Sequence, residues 1–197
     1  MARLETQLTN EMLEISSVEN PLLVVVDMIN GFVNEGALAD KAVNDIIPSI
    51  VSILDKSIPS VFAVDEHDEN AIEFKSFPVH CLKGSKESEI VDELKPYAND
   101  IVYKNSTNMA HAMDMNEFVN KADTFIITGC CTDICVMQFA LTLRTYLNQH
   151  DLKKEVFIVC DGVETYHADG VHDAKEYNRM ALQMMAQSGI KLVKGVL

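Results

Sequence analysis

Six short apolar runs alternate with helical patterns along the 197-residue chain, and this alternation restricts its fold more than any other feature. The first run, Pro21–Asp27, is apolar throughout and ends in a polar residue, as is typical of a parallel strand buried on both faces. The other predicted strands are Ser60–Asp65, Asp100–Lys104, Asp123–Thr128, Glu155–Cys160 and Ile190–Val193. Strands separated by helices form right-handed crossovers, so the sequence predicts an α/β protein with three α/β/α layers and a mostly parallel, doubly wound six-stranded sheet.

The segments between these strands are predicted to form four helices and one long irregular loop. The predicted helices are Asn44–Lys56, Ser85–Leu94, Thr132–Gln149 and Asp173–Gln187. Residues 66–86 show no clear periodicity, and a long irregular loop in a compact domain is often functional. The chain has no internal repeat and no Pro/Gly-rich linker, so we predict one domain over residues 1–197, with residues 1–20 packed on it as an extension.

Charge and hydropathy exclude several classes of protein. The chain has 16 Lys+Arg and 30 Asp+Glu, a net charge of −14, which argues against binding to nucleic acid or to an anionic membrane. No apolar stretch is long enough to span a bilayer, and the N-terminus lacks the apolar core of a signal peptide. We therefore expect a cytoplasmic protein that binds neither membrane nor nucleic acid.

The five cysteines are unusually distributed, because Cys130, Cys131 and Cys135 fall within six residues. Such close neighbours are a poor disulfide framework for a domain of this size. In a cytosolic protein the cluster is metal-binding, redox-active or catalytic, or consists of ordinary buried thiols.

Polar residues stand where the predicted strands end. These strand-end residues are Asp27, Asp65 with His67, Lys104, the cysteine cluster, and Asp161. Ligands of parallel α/β sheets bind outside the carboxyl ends of the strands, so this edge is the predicted site.

Cys135 is the candidate nucleophile of this edge. It falls in the first turn of a predicted helix that Thr132 can cap, where the helix dipole and a nearby Lys104 favour a thiolate. Asp27 can accept the thiol proton, and the backbone N–H groups of Cys131 and Cys135 can form an oxyanion hole. On spacing alone, a small buried cysteine packed under its helix is the alternative that stays open.

A second set of residues has ligands suited to a divalent metal. Asp65 and His67 leave one strand on the same side, and the following loop supplies Glu73 and His80. Two carboxylates and two imidazoles suit Zn, Mn or Fe(II). A solvated acidic loop is the alternative that the residues alone leave open.

Four motifs resemble those of the isochorismatase-like cysteine hydrolases, and within them the nicotinamidases. Residues 128–136 match the nucleophile motif T-G-x-x-T-[DE]-x-C-V at each fixed position. Residues 27–32, D-M-I-N-G-F, are similar to D-x-Q-N-D-F, although Ile29 and Gly31 depart from it. Lys104 follows a strand as in the family, and D-E-H at 65–67 with F-P-V-H-C at 77–81 looks like the nicotinamidase metal loop.

The resemblance implies a set of roles for these positions. It implies a catalytic triad of Asp27, Lys104 and Cys135, and a cis peptide between Cys130 and Cys131 that shapes the oxyanion turn. It implies one divalent metal ion, with zinc favoured over manganese or iron, held by Asp65, His67 and His80, with Glu73 as a further ligand. Phe32 and Phe77 would flank a flat aromatic substrate. The implied function is a metal-assisted amidohydrolase that converts nicotinamide, a small-molecule amide, to nicotinate and ammonia, and the implied assembly is a homo-oligomer.

Two other interpretations stay open. Nicotinamidases often carry an aromatic residue a few positions after the lysine, whereas residues 105–110 contain none. The pocket and the substrate could therefore differ. A metal-free member of the same superfamily that acts on another small amide or a vinyl ether is an alternative, although it would not need the set of Asp65, His67, Glu73 and His80. A non-enzymatic thiol or zinc protein is the alternative from another class, but C-C-x-x-x-C lacks the spacing of such sites.

Overall fold

The computed structural model describes residues 9–197 and contains one main sheet and one small sheet. The strands are β1 (Met12–Leu13), β2 (Pro21–Val26), β3 (Ser60–Asp65), β4 (Ile101–Lys104), β5 (Thr124–Cys130), β6 (Glu155–Glu164), β7 (Lys191–Val193) and β8 (Gly195–Val196). The helices are α1 (Asn30–Val33), α2 (Ile47–Leu54), α3 (Met115–Val119), α4 (Met137–Gln149) and α5 (Ala174–Gln187).

The main sheet has the order β4-β3-β2-β5-β6-β7, and its neighbouring strands are all parallel. From β2 the chain winds outward to β4 in one direction, and from β5 it winds outward to β7 in the other. The winding therefore reverses between β2 and β5, the point at which ligands of open α/β sheets bind. The six-stranded α/β prediction is confirmed.

The central strands are buried on both faces, and this burial creates two cores. Leu23 and Val25 of β2 pack into one core with Ile50 and Ile53 of α2. The alternate residues of β2 pack into the opposite core, which contains Phe139 of α4. Because successive strand residues point to opposite faces, one continuous apolar run supplies both layers.

Two helices predicted in the first half of the chain differ from those observed. The helix predicted at Ser85–Leu94 is wrong, since only Lys86–Ser88 forms a 3₁₀ turn. The N–H of Asn30 donates to Glu89 O and that of Val91 donates to Met28 O, so this backbone pairs with the chain that follows β2. The helix predicted at Asn44–Lys56 is shorter, because residues 41–46 form a 3₁₀ helix before α2.

The fifth predicted strand is longer than expected. It continues as β6 to Glu164, so Asp161 is an exposed residue within the strand and not a residue that follows it. Its N–H donates to Lys194 O at 3.1 Å. The expectation that Asp161 joins the other strand-end groups is therefore wrong.

Part of the predicted N-terminal extension is described. In β1, Met12 and Leu13 pair in parallel with Gly195 and Val196 of β8, and Leu13 is buried. The rest of that prediction, residues 1–8, lies outside the described residues. No helix within residues 9–197 has the length and apolar character needed to cross a membrane.

Candidate active site

The nucleophile motif forms a tight turn between β5 and α4. Gly129 has φ +112°, and a Cβ there would lie 2.0 Å from Val26 O, so the motif requires glycine. The peptide bond between Cys130 and Cys131 is cis, at the position where the family resemblance implies one. Residues 132–136 form a turn of π-helix, with Cys131 O accepting from the N–H groups of Ile134 and Val136 at 3.1 Å each.

The beginning of this turn differs from the expected capped helix. Cys131 is the N-cap residue, and within the described chain no side chain caps this turn. The hydroxyl of Thr132 is buried and finds no hydrogen-bond partner among residues 9–197. Thr132 therefore packs beneath the turn and does not cap it.

Asp27, Lys104 and Cys135 meet at the switch point of the sheet. Lys104 Nζ lies 2.8 Å from Asp27 Oδ2 and 3.9 Å from Cys135 Sγ. All three side chains are buried, and Asp27 has a φ of +51° directly after β2. The structure thus brings together the three residues to which the sequence assigns catalytic roles.

The environment changes how these groups ionise. Burial raises the pKa of Asp27 to about 6, even though Lys104 and the Cys135 thiol act to lower it. Burial would lower the pKa of Lys104, but the carboxylates of Asp27 and Asp65 hold it well above the ordinary value. The lysine is therefore a permanent cation, whereas Asp27 can exchange a proton near neutral pH.

Cys135 does not have the lowered pKa that its position predicts. Burial raises the pKa of its thiol well above the ordinary value, although the charge of Lys104 acts in the opposite direction. Lys104 thus has the expected effect, but desolvation outweighs it. The free site therefore holds a neutral thiol, and its reaction as a nucleophile requires a base.

The four predicted metal ligands lie together beside this triad. One ligand atom from each of Asp65, His67, Glu73 and His80 lies within 4.8 Å of the others. His67 Nε2 is 2.9 Å and His80 Nε2 3.2 Å from the same oxygen, Asp65 Oδ2. Three of the four residues are buried and Glu73 is half-buried, which does not fit the alternative of a solvated acidic loop.

Asp65 joins the two groups of residues. Its Oδ1 lies 2.9 Å from Lys104 Nζ, while its Oδ2 faces the two imidazoles. Burial would raise the pKa of Asp65, but Lys104 and the hydrogen bonds from His67 and His80 hold it well below the ordinary value. This carboxylate is therefore ionised and available as a ligand.

A cavity of about 260 Å³ opens above Cys135 and the metal-ligand cluster. Phe32 and Phe77 both line it, as expected for residues that flank a substrate. Tyr166 and Leu38 also line it, and the segment after Lys104 contributes Thr107. No sequence signal points to Tyr166 or Leu38, because both lie in loops without a motif.

A buried network behind the nucleophile turn was also missed. Asp133 Oδ2 lies 2.9 Å from His172 Nε2, and Asp133 Oδ1 accepts from the Thr165 hydroxyl at 2.5 Å. The ring of His172 stacks on Tyr166 at 4.0 Å and on Tyr177 at 3.7 Å. This network attaches the loop of Tyr166 to the turn of Cys135, and its partners are too distant in sequence to form a motif.

Comparisons with known proteins agree with this geometry. The sequence model of the Isochorismatase domain matches residues 21–194. Nicotinamidase 1 of Arabidopsis thaliana is 27% identical over 201 residues, covering 88% of this chain and 82% of that protein. Pyrazinamidase of Pyrococcus horikoshii, solved in complex with zinc, has a TM-score of 0.71 and 26% identity over 89% of this chain and 99% of its own. The Acinetobacter baumanii nicotinamidase/pyrazinamidase structure has a TM-score of 0.75 at 23% identity, covering 90% and 97%, and shows the shared fold.

Proposed function

We propose that this chain, which belongs to the isochorismatase domain family of hydrolases, converts nicotinamide to nicotinate and ammonia through a thioester on Cys135. One observation carries the proposal: buried Asp27 and Lys104 lie beside Cys135, which lines a cavity together with members of the four-residue metal-ligand cluster. The similarity to a nicotinamidase and to a pyrazinamidase solved with zinc supports the choice of substrate.

In the first step Asp27 accepts the thiol proton of Cys135 as the sulfur attacks the amide carbon. The raised pKa of Asp27, about 6, suits a base that must take a proton and later return it. Lys104 lies 2.8 Å from Asp27 and 3.9 Å from the sulfur, so it stabilises the negative charge on the carboxylate before the proton transfer and on the sulfur during it.

The attack forms a C–S bond and places a negative charge on the former carbonyl oxygen. The N–H group of Cys131, directly before the π-turn, and that of Cys135, within it, are the proposed donors to this oxyanion. Losing one such donor typically slows a reaction by about 10²–10³-fold.

Collapse of this intermediate breaks the C–N bond, and Asp27 returns its proton to the departing ammonia. A water molecule then attacks the thioester, with the ionised Asp27 taking its proton. The C–S bond breaks, the thiol is restored and nicotinate leaves. Each proton taken by Asp27 is thus released within the same cycle.

The cluster of Asp65, His67, Glu73 and His80 fits a divalent cation, because two nitrogen and two oxygen donors converge in one place. We propose that it holds zinc, with manganese or iron(II) as substitutes. Bound there, the ion would supply an electrophile for the ring nitrogen of the substrate. Phe32 and Phe77, on the cavity wall beside the cluster, would hold the aromatic ring against it.

A second candidate is the same reaction on a different small amide. Thr107 lines the cavity where residues 105–110 offer no aromatic side chain. Without an aromatic side chain from this segment, the cavity has room for a substrate with a substituted aromatic ring or for a non-aromatic amide.

Ammonia release from nicotinamide tests the proposal, with zinc content measured on the same protein. We expect turnover in the wild type and its near-complete loss in Cys135→Ala. Cys160→Ala is the matched control, because Cys160 lies in β6 and is half-buried. Turnover retained in Cys135→Ala would overturn the thioester route, and a zinc-loaded wild type active only on other amides would replace the substrate and keep the site.

A further inference from the structure

The side chain of His67 is oriented by a residue outside the metal-ligand cluster. Its backbone is fixed on the neighbouring loop, because His67 N donates to Cys81 O and Lys83 N donates to His67 O, both at 2.9 Å. Its Nδ1 lies 2.8 Å from Oδ1 of Asn105, and its Nε2 faces Asp65. Asn105 therefore occupies the side of the ring opposite the cluster.

This contact decides which nitrogen His67 can offer to a cation. A neutral imidazole carries one proton, and the nitrogen without it is the ligand atom. In a neutral ring that offers Nε2 to a cation in place of its present contact with Asp65, donation from Nδ1–H to Asn105 Oδ1 keeps the proton on Nδ1 and leaves the lone pair of Nε2 for the cation. His80 is arranged in the same way, but its Nδ1 donates to the backbone oxygen of Pro78 at 2.8 Å. Of these two acceptors, only the one serving His67 is a side chain that substitution can remove.

Asn105 is itself held in place on both sides. It follows Lys104, whose carbonyl accepts from Glu66 N at 2.9 Å. Beyond it, the hydroxyl of Thr107 donates to Gln138 Oε1 at 2.8 Å, and Asn108 Nδ2 donates to Thr142 Oγ1 at 2.9 Å. These hydrogen bonds attach the segment to helix α4, so the backbone that carries the amide of Asn105 is held in place.

We propose that Asn105 is a positioning residue that sets the metal affinity of the site by fixing the ring and the protonated nitrogen of His67. The inference rests on the proposed metal-dependent function but concerns a residue outside the ligand set and the catalytic triad. Asn105 is largely exposed, so its truncation leaves no cavity in the core and the fold should persist.

Zinc affinity of the full-length protein, measured by competition with a chromogenic chelator in the absence of substrate, tests the proposal. We expect Asn105→Ala to bind zinc about 10-fold more weakly, at the lower end of the range of about 10–100-fold for removal of such a partner, because water can reach this exposed position. Asn105→Asp keeps an acceptor for Nδ1–H and should bind at least as tightly as the wild type. Asn120→Ala, an exposed asparagine on α3's C-terminus, should leave zinc affinity unchanged.

The outcomes separate this inference from the proposed substrate. Wild-type affinity in Asn105→Ala, or equal losses in the Ala and Asp variants, would overturn the positioning role whatever the enzyme's activity. A wild type that binds no zinc would overturn both metal assignments. A wild type that binds zinc but does not release ammonia from nicotinamide would reject only the substrate, and the effect of Asn105 on zinc affinity would still be expected.

Discussion

Asp27 shows how the local environment of one residue decides its chemistry. Its carboxylate is buried beside a thiol that is also buried, and burial raises the pKa of both. The ammonium of Lys104, 2.8 Å away, limits this rise for Asp27, so most of the carboxylate remains ionised at neutral pH. The thiol stays protonated near neutral pH, and the carboxylate can accept its proton. The ionisation of Asp27 should therefore govern the pH dependence of the reaction.

We expect kcat/KM to fall as the pH decreases through about 6, the pKa of Asp27, because only the ionised carboxylate can accept the proton of Cys135. Below this value the rate should drop about tenfold per pH unit. The measurement is the pH profile of kcat/KM, with circular dichroism at each pH to show that the fold persists. A rate that does not change between about pH 5 and 7 would contradict the role of Asp27 as base.

Among the elements, the short helix α1 shows why one motif departs from its family. Gly31 stands at the position where the related motif usually has aspartate. A Cβ at Gly31 would lie 2.5 Å from Cys81 Sγ and 3.1 Å from Glu87 O. The loop that carries His80 thus packs directly on the backbone of α1, and this close approach leaves no space for a side chain.

Replacing Gly31 with alanine should destabilise the protein, although Gly→Ala within a helix is otherwise favourable. The clash with Cys81 is overpacking, which typically costs about 1–3 kcal/mol. In urea unfolding, the double variant Gly31→Ala/Cys81→Ala should recover part of this loss, because the sulfur is gone. Additive effects of the two substitutions would show that the contact is not the cause.

The same elements show what the sequence could predict and what it could not. The six main strands follow from continuous apolar runs, and Asp27, Asp65, Lys104 and Cys135 follow from positions at or just after strand ends. The helix predicted at Ser85–Leu94 failed because residues 89 and 91 form tertiary backbone hydrogen bonds that no local pattern encodes. The raised pKa of Cys135 was missed for a similar reason, since burial depends on the packing of distant segments.

At the scale of the whole molecule, the strand order places two functional groups side by side. The reversal between β2 and β5 sets Asp27 beside the turn of Cys135, while β3 and β4 bring Asp65 and Lys104 to the same edge. Asp65 contacts Lys104 through one oxygen and the imidazoles through the other. The nucleophile and the metal-ligand cluster are therefore separate neighbouring groups, and the contact between Lys104 and Asp65 joins them.

Because the two groups are separate, we expect that substitution of a metal ligand can weaken zinc binding without changing the reactivity of Cys135. His80→Ala removes one ligand donor and leaves the contacts among Asp27, Lys104 and Cys135 in place. We expect lower zinc content and a KM that rises more than kcat falls, with little change in the rate at which iodoacetamide alkylates Cys135. His150→Ala, at an exposed position after α4, is the matched control. Unchanged zinc content in His80→Ala would remove His80 from the ligand set, and a large loss of Cys135 alkylation would show that the two groups do not act separately.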